Sequence, residues 1–169
     1  GFKYAGKVNA LYTEIAGILE QAGLKLEITF GREPIAAAPN SPDALKKLYD
    51  KKEVYITMRD GVRLFTSVYT PKNNQAKHPI LLNRTPYNIE PGGPDNFNFF
   101  MQLYSRYTEE EYIMVFQDVR GKYMSEGQFE DIRPVIPLKK GNKNIDETTD
   151  TWDTVAWLIK NVETNNGKV

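Results

Sequence analysis

The chain has 169 residues, of which 22 are basic and 22 acidic, so its formal net charge is zero. This balance argues against a nucleic-acid-binding protein, and no apolar run reaches the roughly 20 residues that cross a bilayer. The chain has no cysteine and one histidine, His78, which excludes disulfides, a cysteine nucleophile and a multi-histidine metal site within it. The length predicts a single hydrophobic core.

Residues 1–49 are predicted to form an N-terminal helical arm and linker. Apolar side chains recur at steps of three and four along residues 8–22, as on one face of a helix. Three prolines between residues 33 and 42 mark a linker, and a short helix is predicted over Asp43–Tyr49. The chain begins with Gly1 and not with Met, which we interpret as a boundary where an export signal could have been removed.

Residues 50–169 form the second predicted region, which begins with a β-hairpin. Apolar and polar side chains alternate along Glu53–Met58 and Arg63–Thr70. The dipeptide Asp60-Gly61 between them supplies the positive φ of a tight turn, so an antiparallel pair is predicted.

Two later apolar runs, Ile80–Leu82 and Ile113–Phe116, are continuous. Continuous runs are typical of parallel strands that are covered on both faces. Phe97–Tyr107 lies between them with helical spacing, so strand, helix and strand are predicted to form a right-handed crossover. The pattern predicts the α/β class and the N-terminal half of a parallel sheet.

A last helix is predicted to begin at Asp150, which would cap it, with Asp153 three residues further on. The side chains predicted to be buried on this helix are Trp152, Val155, Ala156, Ile159 and Val162. Lys168-Val169 has the character of the first step of a further strand, so we expect the sheet to continue past the last residue.

Tyr87 lies in the loop Asn83–Asn88, directly after a predicted parallel strand. Open α/β sheets place their sites at the carboxyl ends of such strands, and Pro86 stiffens the chain before Tyr87. A tyrosine hydroxyl held there could donate a hydrogen bond to a developing oxyanion. The structural alternative is a tyrosine packed at the base of the loop.

The loop Gln117–Phe129 follows the next parallel strand. Asp118 and Arg120 are predicted to pair and fix this loop, with Gly121 and Gly127 in turn conformations. A catalytic acid at Asp118 is the alternative interpretation.

Further along, Asp146, Glu147, Asp150 and Asp153 form an acidic cluster. Negative charge at a helix N-terminus explains such a cluster, and a cation site is the alternative.

His78 is predicted to be a surface residue. The serines are Ser41, Ser67, Ser105 and Ser125, none of which lies in a Gly-x-Ser-x-Gly elbow, so no complete catalytic triad is present.

Several segments occur together in a fixed order: Met58–Leu64, Asn83–Asn88, Gln117–Gly121 with Ser125–Gly127, and Asp150–Thr154 with Trp157-Leu158 and Asn166–Val169. Residues 50–169 thereby resemble the start of the α/β-hydrolase domain of acyl esterases of the α-amino acid ester hydrolase, glutaryl-cephalosporin acylase and cocaine esterase type. The X-prolyl dipeptidyl peptidases are more distant relatives in this superfamily.

The resemblance implies a serine acyl hydrolase that acts on a small-molecule ester or amide, with no cofactor and no metal. It implies that the strand after Lys168-Val169 leads to the serine elbow, so this chain would be truncated before the nucleophile and would pair with the remainder of its own hydrolase domain. In the family, the tyrosine that matches Tyr87 donates its hydroxyl into the oxyanion hole. Export to the periplasm or the medium is implied by the resemblance alone, and a homo-oligomer stays open.

Two alternatives remain at this point. The chain could be an inactive fragment, or a non-catalytic binding or interaction module built on an α/β half-sheet. The residues after Val169 would discriminate, because a serine elbow within about ten residues favours the hydrolase and an immediate stop favours the module.

Overall fold

The computed structural model of this chain describes residues 41–90, 92–131 and 133–169. The predicted arm helix at residues 8–22 and the proline-bearing linker up to residue 40 lie outside these ranges. The short helix predicted over Asp43–Tyr49 is present as Pro42–Leu48. Ser41 caps it, because the Ser41 hydroxyl accepts a hydrogen bond from the Ala44 amide at 3.3 Å.

Four strands form one mixed sheet in the order β1-β2-β4-β3. The two outer pairs differ in direction: β1 and β2 are antiparallel, as are β2 and β4, whereas β3 and β4 are parallel. The elements in chain order are α1 (Pro42–Leu48), β1 (Tyr49–Thr57), β2 (Arg63–Pro71), β3 (Ile80–Thr85), α2 (Phe100–Leu103), α3 (Ser105–Glu109), β4 (Ile113–Asp118) and α4 (Glu147–Asn161).

The predicted hairpin and the predicted parallel pair are both confirmed. Gly61 has a φ of 90° in the turn between β1 and β2, and the Met58 amide donates to the Val62 carbonyl at 2.8 Å. All six residues of β4 are buried. Its consecutive side chains alternate between two hydrophobic clusters, with Ile113 and Val115 in one and Met114 and Phe116 in the other. The strand is therefore covered on both faces, as its continuous apolar run predicts.

The single helix predicted over Phe97–Tyr107 is wrong in its bounds. The chain forms two short helices, α2 and α3, with a break at Tyr104, whose ψ of 37° lies outside the helical range. The side chain of Asn98 accepts a hydrogen bond from the Phe100 amide at 2.8 Å, so the first helix begins only after Asn98.

The last helix differs from its prediction in start and in face. It begins at Glu147, with Asp146 as its N-cap, and Asp146 and Thr149 form a reciprocal capping box. Trp152 is 70% exposed and Ile159 is 43% exposed. Val162, at the C-cap, is buried as predicted, and the buried positions within the helix are Thr149, Asp150, Thr154 and Leu158.

This orientation follows from polar partners on the sheet. Thr154 exchanges hydrogen bonds with the buried side chain of Gln117 on β4, at 3.0 and 3.2 Å. Because those polar atoms are satisfied, Thr154 can be buried beside Leu158 and Val162, which lie in the hydrophobic cluster, at low cost.

The last residues run beside the start of β3. Asn165 forms an isolated parallel bridge with His78, and the Ile80 amide donates to the Lys168 carbonyl at 2.9 Å. The predicted strand at Lys168-Val169 is not formed as a strand, although the segment lies parallel to β3. In the described ranges, no helix has the length and apolar character needed to cross a membrane.

Candidate active site at the carboxyl ends of β3 and β4

The parallel strands β3 and β4 end side by side and release two loops at the same edge of the sheet. Thr85 and Asp118, the last residues of the two strands, are register partners. The Val119 amide donates to the Thr85 carbonyl at 3.1 Å and extends the pairing by one step. The Tyr87 loop and the loop after β4 therefore begin next to each other, at the edge where open α/β sheets place their sites.

Tyr87 projects from this edge and is 83% exposed. It is not packed at the base of the loop in the described structure. Its amide donates to the Thr85 hydroxyl at 3.1 Å, so the backbone on its N-terminal side is tied to the end of β3. Asn88 follows with a φ of 78°, and its side chain accepts a hydrogen bond from the Glu90 amide at 3.1 Å. The hydroxyl is thus presented outward from a tightly turned loop.

Ile89 anchors the other side of the loop. Its side chain is 2% exposed and belongs to the cluster that contains Met101 and Phe116. Its amide donates to the Asp118 carboxylate at 3.1 Å, and its carbonyl accepts from the Asn98 side chain at 2.9 Å. Tyr87 is consequently held between two fixed points.

Asp118 is fully buried and does not pair with Arg120, so the predicted ion pair is wrong. Its two carboxylate oxygens accept from the amides of Ile89, at 3.1 Å, and Met124, at 3.4 Å. Burial raises the pKa of the Asp118 carboxyl above its ordinary value, and the two amide hydrogen bonds oppose that rise. The predicted fixing of the loop is present, but backbone amides perform it.

Arg120 reaches instead to two other carboxylates and is 3% exposed. It donates to Asp60 at 2.8 and 3.1 Å and to Asp150 at 2.9 and 2.7 Å. Burial disfavours the charged guanidinium, but the hydrogen bonds and charges of Asp150 and Asp60 raise the pKa of Arg120 further. The ion cluster joins the β1–β2 turn, the loop after β4 and the first turn of α4.

The acidic cluster at the start of α4 is engaged by amides and basic side chains. Asp146 is buried, which alone would raise its pKa, but the amides of Ile136 and Thr149 and the ammonium of Lys139 lower it to about 2. The other three carboxylates each meet a guanidinium: Glu147 with Arg84, Asp150 with Arg120, and Asp153 with Arg59. Negative charge at this helix N-terminus is favourable in itself.

Ser125 and His78 both contact other parts of the fold and are not free at the site. The Ser125 hydroxyl donates to the Asp118 carbonyl at 2.6 Å and accepts from the Phe65 amide at 2.8 Å, so it joins the loop to β2. His78 is 3% exposed, which makes the surface prediction wrong. Its ring lies between Asn73, whose carbonyl oxygen is 2.8 Å from Nε2, and Glu111, whose carboxylate is 3.9 Å from Nδ1. Its backbone pairs with the chain end, since the His78 amide donates to the Thr164 carbonyl at 2.8 Å.

Sequence reasoning missed the residues that support the Tyr87 loop. Asn98 and Ile89 carry no motif, and their contacts join segments that are separate in the sequence. The alternation of polar and apolar residues gives no signal for such contacts. Thr85, two residues before Tyr87, lies in the segment Asn83–Asn88, and a threonine hydroxyl two residues before a backbone amide is a recognisable turn signal.

Comparison with known proteins gives a consistent set of relatives. Residues 60–169 match the family model of X-Pro dipeptidyl-peptidase (S15 family). The cocaine esterase of Rhodococcus sp. (strain MB1 Bresler) is 31% identical over 112 residues, which is 63% of this chain and 16% of that protein.

Two solved structures are similar to this chain. The first is an α-amino acid ester hydrolase labelled with selenomethionine, with a TM-score of 0.59 and 40% identity over 85% of this chain and 23% of the other. The second is an aminopeptidase from the marine sediment archaeon Thaumarchaeota archaeon, with a TM-score of 0.57 and 38% identity over 70% of this chain and 20% of the other. These findings confirm the predicted α/β-hydrolase-type fold and the predicted resemblance. The chain spans less than a quarter of each of these relatives.

Proposed function

This chain belongs to the X-Pro dipeptidyl-peptidase (S15) family, and from that premise we propose that it forms part of a serine hydrolase that cleaves an ester or an amide. The reaction class is supported by the relatives, which are named an esterase, an ester hydrolase and an aminopeptidase. In such a reaction a serine hydroxyl attacks the carbonyl carbon and a histidine takes its proton. The alcohol or amine leaves, and water then hydrolyses the acyl-enzyme.

In this proposal the Tyr87 hydroxyl stabilises the oxyanion. When the serine oxygen adds to the carbonyl carbon, the carbonyl oxygen gains negative charge and accepts stronger hydrogen bonds. A phenol is neutral near pH 7 and donates one hydrogen bond without bringing a full charge. The observation that carries this role is the 83% exposure of Tyr87 on a loop that is hydrogen-bonded on both sides of it.

We place the nucleophile outside these 169 residues. No serine of the chain lies in a Gly-x-Ser-x-Gly elbow, and Ser125, which comes nearest, has its hydroxyl hydrogen-bonded between Asp118 and Phe65. The small share of each relative that the chain spans supports a catalytic serine, histidine and aspartate elsewhere in the intact protein.

The test of Tyr87 is the Tyr87→Phe variant of the intact protein. Removing one oxyanion donor lowers kcat by about 100- to 1000-fold, and because the phenyl ring stays, KM and the melting temperature are expected to change little. Tyr123→Phe is the matched control, since Tyr123 is a 58% exposed tyrosine on the neighbouring loop and should retain full activity. An unchanged kcat in Tyr87→Phe would remove Tyr87 from the mechanism.

The serine mechanism and the substrate class are tested with two kinds of probe. A fluorophosphonate should label one serine of the intact protein, and that serine should be absent from these 169 residues. Hydrolysis of 4-nitrophenyl acetate beside an X-Pro 4-nitroanilide then separates esterase from peptidase activity. A protein that neither reacts with the fluorophosphonate nor cleaves either probe would instead fit a binding module.

A further inference from the structure

The Tyr87 loop is held in place by a buried carboxylate from the neighbouring strand. Ile89, two residues after Tyr87, donates its amide hydrogen to Asp118 at 3.1 Å. The second oxygen of the same carboxylate accepts from the Met124 amide at 3.4 Å. One side chain at the end of β4 therefore ties the loop after β3 to the loop after β4.

We propose that Asp118 is a positioning residue, which fixes the Ile89 backbone and so aims the Tyr87 hydroxyl at the carbonyl oxygen of the substrate. This inference rests on the proposed role of Tyr87 in the oxyanion hole. It adds a residue that does not touch the substrate but determines where the donor lies.

Tyr87 lies between two points at which the loop is fixed. At one end the Tyr87 amide is bonded to Thr85, and at the other the Ile89 side chain is buried in the core. Only Asn88 separates Tyr87 from Ile89, and it holds a left-handed conformation with a φ of 78°. A displacement of Ile89 is therefore transmitted to Tyr87. A displacement of about 1 Å in a catalytic group can cost roughly 100-fold in rate.

The carboxylate of Asp118 is better explained by its hydrogen bonds to two backbone amides than by a gain in stability. Among the residues that the structure describes, no lysine or arginine forms an ion pair with Asp118, although the side chain is fully buried. A buried carboxylate without a cation is costly, as the raised pKa of Asp118 reflects. The amides of Ile89 and Met124 bind different oxygens of Asp118, so asparagine in the same position would place its NH2 group, which is a donor, against one of the two amides.

The experiment is a double-mutant cycle of Asp118→Asn and Tyr87→Phe in the intact protein, assayed with 4-nitrophenyl acetate. Fluorophosphonate titration gives the concentration of active sites, so that kcat refers only to folded enzyme. We expect Asp118→Asn to lower kcat by about 10- to 100-fold with KM changed less than about twofold. In the Tyr87→Phe background the same substitution should lower kcat by less than about twofold, because the hydroxyl that it misplaces is already gone.

The matched control is Asp153→Asn. Asp153 is a mostly buried carboxylate that also accepts from a backbone amide, that of Arg59 at 2.9 Å, but it lies on α4. Its substitution should have the same small effect on kcat in both backgrounds. If Asp118→Asn does not yield folded enzyme, Asp118→Glu is measured in the same cycle, since it keeps the charge and shifts the acceptors by one methylene.

The outcomes separate the two proposals. If Tyr87→Phe leaves kcat unchanged, the oxyanion role fails, whatever Asp118 does. If Tyr87→Phe lowers kcat but the Asp118 variant does not, or lowers it equally in both backgrounds, Asp118 is structural and the positioning role is overturned.

Discussion

Gly121 lies where the loop after β4 folds back on itself, and replacing it with alanine tests how closely that loop is packed. Its φ is 71°, and its amide donates to the Glu126 carbonyl at 2.9 Å. A Cβ atom at this position would lie 2.1 Å from the Phe129 nitrogen and 2.4 Å from the Gln128 carbonyl carbon. Both neighbours are backbone atoms, so no side-chain rotation relieves the overlap.

The expected loss of stability in Gly121→Ala follows from comparison with Gly61. Gly61 also has a positive φ, of 90°, but a Cβ atom added there would meet no atom within 4 Å. At either position, the left-handed backbone lowers the free energy of unfolding of the alanine variant by about 1–2 kcal/mol. The less flexible unfolded chain raises it by about 0.4–1 kcal/mol. Gly61→Ala should therefore cost about 1 kcal/mol. Gly121→Ala must also separate the two backbones by about 1.3 Å to restore ordinary contact at 3.4 Å, which adds about 2–3 kcal/mol.

The assay is the free energy of unfolding from urea denaturation, followed by far-ultraviolet circular dichroism and measured for both variants beside the unsubstituted protein. We expect Gly121→Ala to lose about 2–3 kcal/mol more than Gly61→Ala. Equal losses in the two variants would refute the close packing of Gly121 against the backbone at residues 128–129.

Two further predictions concern Asp146 and Ser125. The folded-state pKa of Asp146, about 2, lies below its ordinary value of 3.8, so its charge stabilises the fold above about pH 4, and that stability is lost as the pH falls towards 2. Asp146→Asn should lose on the order of 2 kcal/mol at neutral pH, and acid titration of the unfolding free energy should show this gap closing between pH 4 and 2; a constant gap contradicts the assignment. Ser125→Ala should lose about 1–3 kcal/mol in urea denaturation, because the Phe65 amide loses its acceptor, yet fluorophosphonate labelling should persist. Loss of labelling in a Ser125→Ala variant that keeps its cooperative unfolding transition would mean that Ser125 is the nucleophile.

The sheet was predictable because its signals are local. The turn at Asp60-Gly61 and the continuous apolar run of β4 each determine their structure from neighbouring residues, and the antiparallel and parallel pairings follow. The edge that carries Tyr87 was predictable for the same reason, since it requires only the direction of two strands.

The faces and partners of the polar residues were not predictable, because they depend on contacts across the fold. Apolar spacing placed Trp152 in the core, but the sheet offers Gln117 as a partner for Thr154, and the helix buries Thr154 and Leu158 while Trp152 is exposed. Proximity in the sequence paired Asp118 with Arg120, whereas the nearest acceptors for the guanidinium in space are Asp60 and Asp150. His78 is buried for a similar reason, since its ring meets Glu111 and its backbone pairs with Thr164, both of which are distant in the sequence.

The guanidinium of Arg120 affects how the β1–β2 turn, the loop after β4 and the start of α4 can move. It binds Asp150, 30 residues away, and Asp60, 60 residues away, so three distant stretches of chain share one cation. Opening the loop after β4 alone would separate both carboxylates from this cation, and opening either of the other two stretches would break two charge-assisted hydrogen bonds. We therefore expect the hairpin turn, the loop after β4 and the beginning of α4 to open together, and because Arg120 is 3% exposed, we expect added salt to weaken this ion cluster less than it weakens surface ion pairs.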